Sequence, residues 1–292
     1  MRINTNVASM NAQEASFNVN KALNSSLEKL SSGLRINKAS DDASGLAIAD
    51  KLRTQASSIA QSISNGNSAV ALTQIADKAM AEQSNILDII KQKLTQAGTA
   101  TTSTAGRFAI AKDVKKLIDQ IDNIAAQTNY NGISLLQDGT DLSDAGTTSA
   151  ITFQMGELSA NVIATAGGVQ ANQTGLGLGD LYTAVNISDV SDVGGSFGQT
   201  DAQGFLETID DALTTLNEWR SDFGSTQNQL ESAIRNLSTQ QTNIKAAESV
   251  IRDVDYAAES ANFNKQNIIA QAGTYAMSQA NTIQQNVLRL LQ

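Results

Sequence analysis

A chain of 292 residues with 41% hydrophobic but only 4% aromatic side chains must pack on aliphatic and Ala contacts, which suits close helix-on-helix packing better than a thick globular core. Because the chain contains no His, Cys or Pro, Ser-His-Asp and Cys-His catalysis, His/Cys metal or haem ligation and disulfides are excluded, and the strongest helix breaker is missing. The net charge of −9 is concentrated in residues 54–255, with eleven Lys/Arg against 23 Asp/Glu. The ends are near neutral, seven against five in 1–53 and two against one in 256–292, so no nucleic-acid partner is expected.

The first residues, MRINTNVASMNAQ, lack the apolar run of a secretory signal. No stretch approaches the roughly 18 uninterrupted apolar residues of a membrane span, so no membrane partner is expected, and export would have to retain the N-terminus. From about residue 4 to 35 the chain reads as an amphipathic helix, with Val7, Met10, Phe17, Leu23, Leu27, Leu30 and Leu34 on one stripe. The polar run Asn37, Lys38, Ser40, Asp41, Asp42, Ser44 and Gly45 then interrupts the period with cap and turn formers. A second helix follows from about Ala43 to Ala97, with a late stripe of Leu72, Ala76, Ala79, Ile86, Ile90, Leu94 and Ala97 and its main weakness at Gly66.

The Gly/Ser/Thr connector GTATTSTAG leads to a third helical stripe, Phe108, Ala111, Val114, Ile118, Ile121 and Ala125. Asn131-Gly132 and Asp138-Gly139 are turn signals; the sequence NYNG lacks the carboxylates of a calcium loop. Residues 150–166 alternate Ile151, Phe153 and Met155 with polar neighbours, turn, and run on through Val162 and Ile163, a β-hairpin pattern. The following stretch, TGLGLGDLYTAVNISDVSDVGGSFGQTDAQG, has no sustained period. Its GLGLG is followed by no Lys-Ser/Thr, so it reads as a coreless surface excursion rather than a nucleotide site.

The clearest period comes next: Ile209, Leu216, Phe223, Leu230, Leu237, Ile244 and Ile251 stand seven apart, while the companions four later, Leu213, Arg220, Gln227, Ile234, Gln241, Glu248 and Asp255, are mostly polar. A self-sufficient two-stranded zipper wants both halves apolar, so this helix is expected to join a mixed bundle. The last segment, Ala257 to Leu291, carries Ala261, Ile268, Ala272, Ala276, Ala280, Ile283, Val287 and Leu290 among many Gln and Asn, too weak a stripe to stand alone in water. It needs the N-terminal helix or another copy of the chain. The adjacent carboxylates Asp41-Asp42 and Asp210-Asp211, and the pair Asp253 and Asp255, fall at expected bends, caps or helix surfaces, so no enzyme, cofactor or metal site is expected.

Five stretches, INTNVASMNAQ at 3–13, LSSGLRINKASDDASGLAIADKLR at 30–53, QTNYNGISLL at 127–136, AAESVIRDVDYAAE at 246–259 and QAGTYAMSQANTIQQNVLRLL at 271–291, resemble the terminal signatures of the bacterial flagellins, in that family's order. The resemblance implies a mainly α fold of long antiparallel helices with one β-hairpin, in which both termini pair as an inner-layer coiled coil. The function it implies is that of an exported subunit polymerising into the flagellar filament, outside the cell. It further implies a filament-core and spoke region at 1–42 with 256–292, a helical rod at 43–171 with 201–255, and a variable surface loop at 172–200. The residues so assigned to core and spoke are Leu30, Leu34, Arg35, Ile36, Asn37, Asp41, Asp42, Ile251, Arg252, Asp253, Val254, Asp255, Val287, Leu288, Leu290 and Leu291.

Partners implied by the resemblance are further copies of the chain, an export chaperone, and the filament cap and hook-junction proteins. In family members seen by the innate flagellin receptor, the helix at 87–96 looks like LQRVRELAVQ; here it reads LDIIKQKLTQ. The receptor-facing positions are then Leu87, Asp88, Ile89, Lys91, Lys93 and Leu94, with Ile89 where the family's first Arg stands, so weak or absent receptor engagement is expected. Ser188, Ser191, Ser196 and Thr200 are candidate glycan acceptors. A hook-filament junction protein, or an intracellular coiled-coil scaffold suggested by the heptads alone, are the alternative readings.

Overall fold

The computed structural model of the chain describes residues 6–138, 148–193 and 197–290. Its elements are α1 (Val7–Ser32), α2 (Ala43–Ala97), α3 (Thr104–Gln127), β1 (Asn129–Tyr130), β2 (Ile133–Ser134), β3 (Thr152–Gln154), β4 (Val162–Ala164), α4 (Gly179–Val185), a 3-10 turn at Val190–Asp192, α5 (Gln199–Arg252) and α6 (Tyr256–Leu290). They form two compact units, one from residues 1–57 and 240–292, the other from 58–239, so the division falls inside α2 and α5.

The second unit holds the main core. The 3.6-residue stripes of α2 and α3 meet there: Leu72, Ala76, Met80, Leu87, Ile90, Leu94 and Ala97 pack with Ile110, Ala111, Val114, Ile118, Ile121 and Ala125. Ser103 starts α3 as its cap, its side chain accepting from the Gly106 N–H at 3.2 Å, while Arg107 turns back to donate from Nε to the Ala97 carbonyl at 2.9 Å and so covers the end of α2. The heptad series of α5 joins this core through Ile209, Leu216 and Phe223, and a smaller cluster through Leu230. Its polar companion positions serve as clamps: Arg220 Nε donates to Asp77 Oδ1 on α2 at 3.1 Å.

One hairpin was expected and two antiparallel pairs form. β3 and β4 pair Thr152 with Ala164, Phe153 with Ile163 and Gln154 with Val162, as the alternating pattern requires. The second, β1 with β2, is closed by Asn131 and Gly132, whose φ angles of 51° and 81° give the two-residue turn that an Asn-Gly pair favours. Gly66, a weak point of α2 by propensity, sits where a Cβ would lie 2.8 Å from both Ile234 Cγ1 and Met155 Cε. The missing side chain lets α2, α5 and the β3–β4 hairpin approach closely.

The stretch 172–200 corrects the expectation of a coreless loop. Leu176, Leu178, Leu181, Val185, Val193 and Phe197 are all buried, and Leu178, Leu181, Val185 and Phe197 are fully so. Irregular spacing hid this. The left-handed turn at Gly177 (φ 70°) and the short α4 break any period while still delivering each apolar side chain to the same core. Lys115 of α3 further ties α4 down, donating to the Tyr182 hydroxyl at 3.1 Å with its ammonium 4.8 Å from the ring centre.

Truncating Phe197 to Ala should therefore cost about 3–5 kcal/mol of the second unit's stability, and deleting residues 172–200 should abolish its cooperative transition. Urea unfolding followed by circular dichroism checks both; a deletion protein with an unchanged midpoint would restore the loop reading.

Candidate assembly site at the crossover of the terminal helices

The first unit is built differently. α1 and α6 run antiparallel: Asn6 Nδ2 donates to the Ala280 carbonyl at 3.3 Å near one end, and the Tyr256 hydroxyl to the Leu30 carbonyl at 3.1 Å near the other. Asn6 also caps α1, its side chain accepting from the Ser9 N–H at 3.1 Å. The pair has almost no interior. Among the described side chains of α1 only Ser26 is buried, and α6 buries none, while Val7, Met10, Phe17, Ile268, Tyr275 and Ile283 are each more than half exposed.

Where these two helices end, the chain crosses itself. Gly33, at φ 74°, terminates α1 with its N–H on the Lys29 carbonyl at 2.9 Å. The next residue, Leu34, pairs with Asp253 in an isolated antiparallel bridge, with Arg35 N–H donating to the Arg252 carbonyl at 2.6 Å and Val254 N–H to the Gly33 carbonyl at 3.0 Å. Arg35 adds its guanidinium, Nη2 reaching the Ile251 carbonyl at the open C-terminal end of α5 at 2.6 Å. Arg252 Nη1 contacts Asp50 Oδ1 of α2 at 3.3 Å. Beneath these polar bonds Ile36 is 3% exposed. It packs so closely on the start of α2 that a Cβ on Gly45 would lie 2.8 Å from Ile36 Cδ1.

The carboxylates here act as caps. Asp42 Oδ1 accepts from the Gly45 N–H at 2.9 Å and Asp255 Oδ1 from the N–H groups of Ala257 and Ala258 at 2.9 and 3.1 Å, which seats α2 and α6. Asp41 Oδ2 accepts from the N–H groups of Lys38 and Asn37 at 2.9 and 3.1 Å, and those two bonds hold its carboxyl below the usual carboxylate range. Glu28 on α1 takes Asn37 Nδ2 at 2.8 Å and Lys38 Nζ at 2.7 Å, and the hydrogen bond with its charge raises the Lys38 ammonium above its ordinary range. Asp253 accepts from the Ser249 hydroxyl at 2.6 Å. These acids are occupied by donors at turns and helix ends, an arrangement that fixes chain direction.

The structure thus brings together Leu30, Leu34, Arg35, Ile36, Asn37, Asp41 and Asp42 with Ile251, Arg252, Asp253, Val254 and Asp255 in one crossover. It adds Glu28, Asp50 and Tyr256, which sequence spacing could not pair because their partners lie in other elements, and Ser249, which bonds Asp253 one turn on. Val287, Leu288 and Leu290 fall in the last turns of α6 with side chains outside the described set, and Leu291 lies outside the described residues. So does Ser196, whereas Ser188, Ser191 and Thr200 are exposed.

The segment 87–96 lies in the second unit, and two of its positions need correction. Leu87 and Leu94 are completely buried, because they belong to the core stripe of α2, and so cannot face a receptor in this chain. Asp88 and Ile89 are exposed, the latter at 43%, and Lys91 and Lys93 sit at the surface in ion pairs with Asp210 and Asp113.

Gly33→Ala tests the crossover. A non-Gly residue at this φ costs about 1–2 kcal/mol, and the added Cβ would stand 3.2 Å from the Tyr256 hydroxyl oxygen. Hydrogen exchange at the Arg35 and Val254 amides should accelerate about tenfold with the second unit unchanged.

Residues 3–141 match the model of the bacterial flagellin N-terminal helical region and residues 206–291 that of the bacterial flagellin C-terminal helical region. The chain is 38% identical to the flagellin of Bacillus subtilis and 35% identical to that of Halalkalibacterium halodurans, with both chains covered completely in each case. It is 33% identical to the flagellar filament 33 kDa core protein of Treponema phagedenis, again over the full length of both. A chain with paired end helices, a capped crossover and these two matching regions belongs to the bacterial flagellin family, the structural subunits of the flagellar filament.

Proposed function

We propose that the coreless α1–α6 pair is the surface on which copies of this chain polymerise, with the crossover setting the path between that pair and the rest of the subunit. As a flagellin the chain is a structural subunit of the flagellar filament, outside the cell, and serves motility. The observation that carries the assembly reading is the exposure of Met10, Phe17, Ile268 and Tyr275 on a helix pair that buries almost nothing of its own. Two helices side by side leave outer faces in water, and apolar area there is worth about 25 cal/mol per Å2 once a neighbouring copy covers it. Coverage by like copies in a head-to-tail order that does not close generates an open helix of subunits.

On the same reading the chain traverses the flagellar secretion channel with its N-terminus retained. Before export a chaperone shields the apolar C-terminus around Val287, Leu288, Leu290 and Leu291, and the filament cap and hook-junction proteins receive the exported chain. The polar crossover, 30–42 with 251–255, serves as the spoke. Surface Ser188, Ser191 and Thr200 are available for sugars.

Limited proteolysis of the monomer should trim residues 1–32 and 256–292 first, and seeded filaments should protect both ends, by well over tenfold in cleavage rate. Equal cleavage in the two forms would remove the assembly role from the helix pair.

We also propose that the chain engages the innate flagellin receptor weakly. Exposed Ile89 offers no donors where an Arg would present five, and Lys93 is committed to Asp113 at 3.0 Å. Losing one such anchor is worth about 2 kcal/mol, roughly thirtyfold in affinity. Reporter cells should respond feebly to the protein and gain at least tenfold on Ile89→Arg with Lys93→Leu; a strong response to the unaltered chain would refute the proposal.

A further inference from the structure

The second unit buries a polar cluster that filament building does not call for. Gln83 of α2 is fully buried, and its Nε2 donates to two carbonyls from different parts of the chain, Ile121 of α3 at 3.1 Å and Ala171 at 2.7 Å. Beside Ile121 stands Asp122, 3% exposed, whose Oδ1 accepts from the Gln173 N–H at 2.7 Å. Gln83 therefore joins α2, α3 and residue 171, and Asp122 joins α3 to residue 173. Together they pin the strap 169–178 across the helix pair, where Val169, Ala171, Leu176 and Leu178 enter the core.

The cluster is short of hydrogens. Gln83 Oε1 and Gln173 Oε1 are buried without a partner among the described residues. With both Nε2 bonds of Gln83 made to carbonyl oxygens, turning that amide over would set oxygen against oxygen, so its orientation is fixed by chemistry. An ionised Asp122 would add a further acceptor that has no proton to offer. Unpartnered buried oxygens of this kind are costly, and a charged one more so.

We propose that Asp122 is a proton-binding site: one proton taken from solvent converts its carboxylate to a carboxylic acid, whose O–H donates to a buried Gln amide oxygen and tightens the 169–178 strap on α2 and α3. The carboxyl O–H bond forms as an O–H bond of a solvent hydronium ion breaks and leaves water. Oδ1 remains an acceptor for the Gln173 N–H. The surroundings favour uptake. Burial, opposed by the Gln173 N–H and aided by the negative Asp119 one turn earlier, pushes the Asp122 carboxyl up to about 6. No cation offsets this: the charge acting on it from α3 is Asp119, which is itself paired to Lys115 at 3.2 Å; α2 contributes the neutral Gln83; and residues 169–178 contain no ionisable side chain.

The sign follows by linkage. A carboxyl raised in the folded state above its ordinary value of 3.8 binds more protons folded than open, so the strap is held more tightly as pH falls from 7 through 6, and the gain is complete near the ordinary carboxyl range. Between pH 7 and pH 5 the protonated fraction rises enough to suppress strap opening about tenfold.

The experiment uses the full-length chain. Carbon-13 NMR of the labelled Asp carboxyls, with Asp122 assigned by its loss in Asp122→Asn, should give a midpoint near 6. Hydrogen exchange corrected for intrinsic rates should show the Leu176 and Leu178 amides protected about tenfold more at pH 5 than at pH 7. In Asp122→Asn, which keeps the acceptor and carries a permanent donor, protection should be pH-independent and match that of the unaltered chain at pH 5. A midpoint near 4 would mean that water or a cation fills the cluster, and would overturn the proposal without any variant. A tenfold change persisting in Asp122→Asn would overturn it as well.

Discussion

Two antiparallel helices can shield only the stripe along which they touch. Every other apolar side chain on α1 and α6 faces solvent unless a third element covers it, and among the described residues Phe17 stays 70% and Tyr275 74% exposed. This constraint shapes the first unit. Its bonds are polar, caps at Asn6, Asp42 and Asp255 and an antiparallel bridge between distant residues Leu34 and Asp253, because such interactions hold a shape with little interior. On the assembly reading proposed above, covering the exposed stripe falls to other copies of the chain.

The second unit solves the opposite problem. It buries a continuous stripe from three helices and has to choose one register among many that aliphatic stripes allow. Side chains such as Ala76, Ala97, Ala111 and Ala125 fit several offsets equally well. Gln83 does not, since its two donations to Ile121 and Ala171 exist at one offset only. Arg220 on Asp77 and Gln203 on the Gly98 carbonyl at 3.0 Å fix α5 in the same manner. Arg220 comes from the polar half of the α5 heptad, the half that argues against a free-standing zipper and here helps to set alignment.

What could be read from the sequence follows from where the information lies. Helix stripes, the alternation at 150–166 and the turn at Asn131-Gly132 are written in neighbouring residues, and α2 begins and ends where its pattern does. Asp41, Asp42 and Asp255 were legible as caps for the same reason. The strap and α4 were not, because Leu176, Leu178, Leu181 and Phe197 reach the core through turns that leave no period. Leu94 was legible as a position of the α2 stripe, whereas Leu87, which lies beside that stripe, was not. Glu28 with Lys38, Tyr256 with Leu30 and Asp122 with Gln173 are pairings between distant segments, which one sequence cannot announce.

One acid in each unit, Asp41 and Asp122, answers to pH in the opposite direction from the other. Asp41 is held below its ordinary range by the N–H groups it accepts from, so its contribution to the crossover is present above that range and fades as acid protonates it. Asp122, raised by burial, contributes more as pH falls toward 5. Exposure decides the difference: a carboxylate at a helix end keeps water and gains donors, whereas one beneath the strap loses water and has the N–H of Gln173 as its donor. Mild acid therefore tightens the strap over the core of the second unit, while the Asp41 carboxylate, held low by the Lys38 and Asn37 N–H groups, stays ionised until the acid is stronger.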